Sequence, residues 1–213
     1  MAIIAFASQK GGVGKSTLCR ALAVEGVRSG LATVVSDLDA AQGTVHEWAR
    51  DRAKLGLQPS ISVRLCRTAS EALDGAGEVD LLLVDGPAKA DAETLALARV
   101  ADLIVQPCGG GLDDLRPAIR TFNGLIDRGV PRDRLLMALI RVGSEAEASS
   151  ARDYLEVAGY ACAAGWLPER LTYRTLHNSG QAITEARVAG LRSAAEALVQ
   201  SIIDAAQAVQ EPA

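Results

Sequence analysis

The apolar run Ile3 to Ala7 leads without a break into Ser8-Gln9-Lys10-Gly11-Gly12-Val13-Gly14-Lys15-Ser16-Thr17, and a helix-patterned segment follows at once. No other feature constrains the fold as strongly, because such a loop needs a strand to deliver it and a helix N-terminus to complete it. Gly11, Gly12 and Gly14 permit backbone geometries in which successive N–H groups converge on phosphate oxygens, and the helix dipole adds to the attraction. Lys15 is placed to neutralise β and γ phosphates. Ser16 offers a hydroxyl to Mg²⁺, and Thr17 either reaches the α phosphate or caps the helix. Gly11, Gly12, Val13, Gly14, Lys15, Ser16 and Thr17 are therefore the expected nucleotide-binding residues, with ATP and Mg²⁺ as ligands.

The remaining chain repeats the strand-then-helix alternation. Apolar, β-branched runs at Ile3 to Ala7, Ala32 to Ser36, Ile61 to Cys66, Leu81 to Val84, Leu103 to Val105 and Leu135 to Ile140 read as strands. Helical patterns fill Lys15 to Ser29, Val45 to Leu55, Ala92 to Arg99, Leu115 to Asp127 and Ala146 to Val157, with Gly30, Gly56, Gly129 and Gly159 as stops. The alternation predicts an α/β fold, a mostly parallel twisted sheet with helices on both faces. Only 3% of residues are aromatic, so the core must be built from Ala, Val, Leu and Ile. After Trp166 the strand signal fades into a polar stretch through Thr184. A last helix follows, with Leu191, Ala195, Leu198, Ile202 and Val209 on the stripe expected to dock on the sheet, before fraying at Gln210 to Ala213. No repeat, linker or composition break marks a second unit, so residues 1–213 are expected to form one domain.

Twenty-two basic against 26 acidic residues leave a formal charge of −4, which gives no global attraction to polyanions; any nucleic-acid contact must use a local patch. Four cysteines, Cys19, Cys66, Cys108 and Cys162, stand more than forty residues apart and read as buried, reduced thiols. No apolar stretch approaches ~18 residues and no leader pattern opens the chain, so a soluble, cytoplasmic protein is expected.

Two acidic motifs follow strands. Asp37-Leu38-Asp39 places two carboxylates on one side of an extended segment at a strand's C-terminal end. Leu81-Leu82-Leu83-Val84-Asp85 has the form of a Walker B strand, in which Asp85 holds Mg²⁺ through a water; alone it also fits a buried strand ending in an N-cap aspartate.

Lys10-Gly11-Gly12-Val13-Gly14-Lys15-Ser16 resembles the KGGxGK[ST] loop of the ParA and MinD group of deviant Walker A P-loop ATPases, where a second lysine precedes the glycine pair. Further likeness lies in Ala101-Asp102-Leu103-Ile104-Val105-Gln106-Pro107 with Leu112-Asp113, in Trp48 (which equally fits a partly buried helix aromatic), and in Leu167 to Arg174 with Ser179-Gly180. The match is to the short ParA form without an N-terminal helix-turn-helix.

The resemblance implies hydrolysis of ATP to ADP and phosphate, with Lys10, Lys15 and Asp39 in catalytic roles. Lys10 would cross to the other subunit's nucleotide in an ATP-bridged homodimer. Asp39 would position the attacking water, and Asp37 would support the magnesium shell formed with Ser16 and Asp85. Where many relatives read DxDPQ, this chain reads Asp39-Ala40-Ala41-Gln42, so no role is assigned to Gln42. ParA proteins also bind DNA without sequence preference as ATP dimers, associate with the nucleoid in that state, and are stimulated by a ParB-like partner. Candidate contacts are Arg170, Arg174, Arg187 and Arg192, set ahead of a middle group at Arg128, Arg132, Arg134 and Arg141. Plasmid or chromosome partition is the leading expectation. Alternatives are the positioning of a protein cargo such as a carboxysome or chemoreceptor cluster, a MinD-like membrane ATPase, and an ATP-dependent synthetase. The end of the chain, Ser201 to Ala213, has no Lys or Arg, which sets the membrane reading low.

Overall fold

β1 (Ala2–Phe6) occupies the middle of a seven-stranded sheet in the order β3-β2-β4-β1-β5-β6-β7, and every pairing is parallel. The other strands are β2 (Thr33–Asp37), β3 (Ser62–Leu65), β4 (Leu81–Asp85), β5 (Leu103–Cys108), β6 (Leu135–Val142) and β7 (Ala161–Pro168). The computed structural model describes residues 1–40, 42–87 and 92–210. Of the segment expected to fray, Gln210 ends the last helix with its Nε2 donating to Met1 O at 2.7 Å, and the remainder lies outside the described residues.

Both faces are covered, which is why the inner strands carry apolar residues on both sides rather than at alternate positions only. In β4, Leu81 and Leu83 join one core cluster and Leu82 and Val84 the other. The first face carries α1 (Lys15–Arg28), α2 (Thr44–Lys54), α7 (Leu171–Asn178) and α8 (Ala189–Gln210); the second carries α3 (Ala69–Leu73), α4 (Ala92–Val100), α5 (Leu112–Ile126) and α6 (Glu145–Val157). α8 buries Ala195, Leu198 and Ile202 and packs Leu191 and Val209 against them, so the expected stripe does dock on the sheet. The four expected stop glycines all take positive φ, and the residue after each donates back to the carbonyl five residues before it, as in Leu31 to Gly26.

Three elements depart from the sequence expectation. β7 extends the sheet where no strand is expected, because Ala161-Cys162-Ala163-Ala164-Gly165 has little strand propensity of its own. Packing demands those small residues: a Cβ on Gly165 would lie 2.5 Å from the Leu198 backbone nitrogen of α8. α7 forms inside the expected polar stretch, where only Tyr173 and Leu176 turn inward and no longer period can show. α3 is a five-residue turn started by Thr68, whose side chain accepts from Glu71 N–H at 3.2 Å. Of the cysteines, Cys19, Cys66 and Cys108 are buried, Cys162 is half-buried, and all four are free thiols.

Because α8 lies directly on β7, Gly165→Ala should force the two apart and cost about 1–3 kcal/mol. Urea denaturation would read this as a lower midpoint; an unchanged midpoint would show that the contact is not tight.

Candidate functional site

The parallel register sets the phosphate loop and the acidic motifs level with one another. Asp85 lies opposite Phe6, the last residue before the loop, and also opposite Asp37 on β2. All three strands end at the same edge of the sheet, where open α/β folds bind their ligands. From there the chain turns through Gly14, whose φ of 103° suits only glycine and whose missing Cβ leaves space taken by Ile140 Cδ1, and α1 begins at Lys15.

Ser16 Oγ donates to Asp85 Oδ2 at 2.6 Å, joining the start of α1 to the end of β4. The other carboxylate oxygen, Oδ1, is buried and has no hydrogen-bond partner among the described residues. A hydroxyl, a carboxylate and an unused buried acceptor are hard oxygen donors, so this corner fits Mg²⁺. Burial pushes the Asp85 carboxyl up to about 7; the Asp37 charge adds to that rise, while the Ser16 hydroxyl and the Lys15 and Arg20 cations oppose it. Lys15 is 8% exposed, and burial lowers its pKa against the pull of Asp85 and then Asp39.

The two acids of the Asp37-Leu38-Asp39 motif have different surroundings. Asp37 is fully buried; its Oδ2 accepts from Val45 N–H at 2.8 Å and His46 N–H at 3.1 Å at the start of α2, and its Oδ1 accepts from Asp39 N–H at 3.2 Å. Asp39 is half-buried and lines a cleft of about 270 Å³ with Gly11, Lys15, Ser16, Asp85 and His177. Gln42 and Arg20 also reach this cleft. Gly12, Thr17 and Val13 complete the loop, with Val13 buried.

Lys10 has its own position. Its side chain is 57% exposed and its Nζ donates to Asp114 Oδ1 on α5 at 2.7 Å. The four late arginines do not form one stripe. Arg170 and Arg174 line a second cavity, of about 200 Å³, that borders the loop; Arg187 and Arg192 are exposed, and Arg192 Nε stands 3.7 Å from Glu196.

That second cavity contains residues that sequence reasoning missed. Ile140, Arg141, Leu167, Pro168 and Tyr173 line it, with Arg141 at a φ of 56° beside an irregularity in the β6–β7 register. Leu167, Pro168 and Tyr173 lie in a stretch singled out for its resemblance and Arg141 in the middle arginine group, but nothing in the sequence ties either to the loop. Arg20 and His177 were also missed. Arg20 is 7% exposed, donates to Thr44 O at 2.6 Å and packs on the Trp48 ring, which Arg52 meets as well.

A glycine-rich loop between the central strand and the first helix, flanked by a level carboxylate at the next strand end, defines a P-loop nucleotide-binding protein. The chain belongs to the family described as the CobQ/CobB/MinD/ParA nucleotide binding domain, whose model matches residues 4–207. Solved structures share the fold at low identity. The septum site-determining protein MinD from Pyrococcus horikoshii, complexed with Mg-ADP, is 16% identical, with a TM-score of 0.77 over 100% of this chain and 99% of that one. A putative plasmid partition protein from Borrelia burgdorferi bound to AMPPNP is 15% identical, with a TM-score of 0.73 over 95% and 98%. The ATP complex of a Cyanothece McdA variant is 17% identical, with a TM-score of 0.70 over 95% and 96%. A comparison with curated protein sequences finds no match.

Since the folded chain holds a proton on Asp85 up to about 7, while an unfolded aspartate releases it near 3.8, the nucleotide-free protein should lose stability as pH rises through that window. Asp85→Asn should flatten this part of the pH dependence and raise the melting temperature above it. Parallel curves for the two proteins would show that Asp85 is not held protonated.

Proposed function

We propose that this chain is a ParA-like ATPase that hydrolyses ATP to ADP and phosphate, pairs with a second copy around bound ATP, and as that dimer holds DNA without sequence preference. The observation that carries this reading is the opposed setting of the two loop lysines. Lys15 is buried between Asp85 and Asp39, facing the nucleotide of its own chain, whereas Lys10 points into solvent and is tied only by a surface ion pair. Such surface pairs are worth at most about 1 kcal/mol, so little holds Lys10 back from a partner's phosphates.

The phosphates lie on the backbone N–H groups from Gly11 to Thr17 with Lys15 as counter-charge, and the adenine enters the neighbouring cavity against Ile140, Leu167 and Pro168. Ser16 and Asp85 hold Mg²⁺, which when bound neutralises charge on the β and γ oxygens. Asp39, whose Oδ1 accepts from Gln42 N–H at 3.2 Å, faces the cleft and orients the attacking water; this is positioning, not strong base chemistry. Asp37 assists indirectly, because its carboxylate fixes the Asp39 backbone and the start of α2.

DNA is held by exposed Arg187 and Arg192, with Arg170 and Arg174 at the rim of the nucleotide cavity, so that binding depends on the ATP state. Plasmid or chromosome partition with a ParB-like stimulator follows as the cellular role, carried out by residues 1–213 as one domain. Among the described residues no helix is long and apolar enough to cross a membrane, and the apolar stripe of α8 is already used against the sheet.

Retention on long duplex DNA should require Mg-ATP, fail with ADP, and fall steeply with added salt as arginines displace condensed counterions. Equal retention with ADP would overturn the reading. In the same assay Asp39→Ala should form the dimer and stay on DNA without turnover, while Lys10→Ala should bind ATP as a monomer and lose turnover by on the order of 10²-fold or more. A monomeric Asp39→Ala with poor nucleotide affinity would move Asp39 from water positioning to magnesium binding.

A further inference from the structure

The phosphate-side cleft and the base-side cavity share four lining residues: Gly12, Gly14 and Thr17 from the loop, and His177 from α7. A nucleotide with phosphates on the loop and its base in the cavity must thread this seam with its sugar and α phosphate. The three loop residues are backbone and a short hydroxyl. His177 is the one imidazole at the seam, and its Nε2 is buried without a hydrogen-bond partner among the described residues. A buried polar nitrogen with nothing to bond is costly unless a ligand completes it.

The imidazole is also held in place. Gly180, two residues past the end of α7, packs on the backbone of Arg52 in α2, where an added Cβ would lie 2.9 Å from Arg52 Cα. Arg52 Nη1 donates to Gly180 O at 3.0 Å, and Trp48 Nε1 donates to Gln181 O at 3.3 Å. α7 is thus fastened to the helix that follows the Asp39 loop. Burial, with the Arg20 charge adding to it, pushes the His177 pKa down to about 4, so the ring is neutral at ordinary pH and carries one N–H.

We propose that His177 is a nucleotide-contacting residue whose Nε2–H donates to an oxygen at the sugar and α-phosphate junction of bound ATP or ADP. The inference rests on the nucleotide reading above and adds to it the residue that recognises the part common to ATP and ADP. A proton on Nε2 is the tautomer that an adjacent anionic oxygen favours. Because the contact lies away from the γ phosphate, it contributes equally to both nucleotides and does not sense hydrolysis.

The chain has 2 histidines, His46 and His177, so the imidazole signals of the full-length protein separate by NMR, and the signal absent in His177→Gln identifies His177. Mg-ADP and Mg-ATP should each shift that signal, whereas inorganic phosphate, which has neither the sugar nor an α phosphate joined to it, should leave it in place. Calorimetry should show ADP and ATP weakened by the same factor, roughly tenfold, in His177→Ala, with part regained in His177→Gln. A His177 signal unmoved by ADP that calorimetry shows to be bound, or moved equally by inorganic phosphate, would overturn the assignment. So would wild-type affinity in His177→Ala. The wild-type spectra stand even where the alanine variant does not fold. Failure of the wild-type protein to bind either nucleotide would instead remove the nucleotide reading, and this inference with it.

Discussion

Three parallel strands in register set the terms for the whole site. Because Phe6, Asp85 and Asp37 lie level across β1, β4 and β2, one turn of chain after each strand delivers the phosphate loop, the magnesium-side carboxylate and the Asp39 loop to the same edge. The Ser16 to Asp85 hydrogen bond at 2.6 Å then closes that edge, joining a helix start to a strand end at the floor of the cleft. Burying Asp85 so far is unfavourable for its charge, and one carboxylate oxygen is unpaired among the described residues. A site under that strain is relieved by a divalent cation, so the cost in the empty protein becomes affinity in the loaded one.

The elements around the edge extend this logic to the second cavity. Arg52 is 1% exposed, yet all its hydrogen bonds are met: its guanidinium reaches Glu185 at 2.6 Å and the carbonyls of Gln58, Pro59 and Gly180. A buried ion pair of this kind contributes less to net stability than to a single arrangement, since alternatives would strand the charge. Here it fixes α7 relative to α2. Tyr173 and His177 of α7, and Asp39 and Thr44 ahead of and at the start of α2, thus line the two cavities from one connected scaffold.

The phosphate loop, the two acidic strand ends and the sheet with helices on both faces were legible in the sequence because each is local. A strand running into KGGVGKST, or four apolar residues ending in Asp85, needs no knowledge of distant neighbours. β7 was not legible, since its small residues are chosen by the backbone of α8 and not by strand propensity. α7 was hidden by its length, and with it His177. The contrast between Asp37 and Asp39 was hidden too: spacing puts both on one side, but only the fold shows that α2 begins over Asp37 and takes up its Oδ2, while Asp39 N–H takes up Oδ1. Proximity in sequence suggests one patch for the late arginines, whereas α7 separates them into two at the cavity and two on the open surface.

The central claim is that Ser16 and Asp85 form the place where Mg²⁺ and nucleotide phosphates meet. Calorimetric titration of ADP at about pH 6.5, just below the value of about 7 at which Asp85 titrates, tests it directly when run with and without Mg²⁺ in two buffers of different ionisation heat. A Mg²⁺-dependent proton release that is larger in the wild type than in Asp85→Asn is the predicted result, because the cation displaces the proton held on Asp85 while the nucleotide's own proton balance is common to both proteins. The same Mg²⁺-dependent proton balance in both proteins would contradict the account.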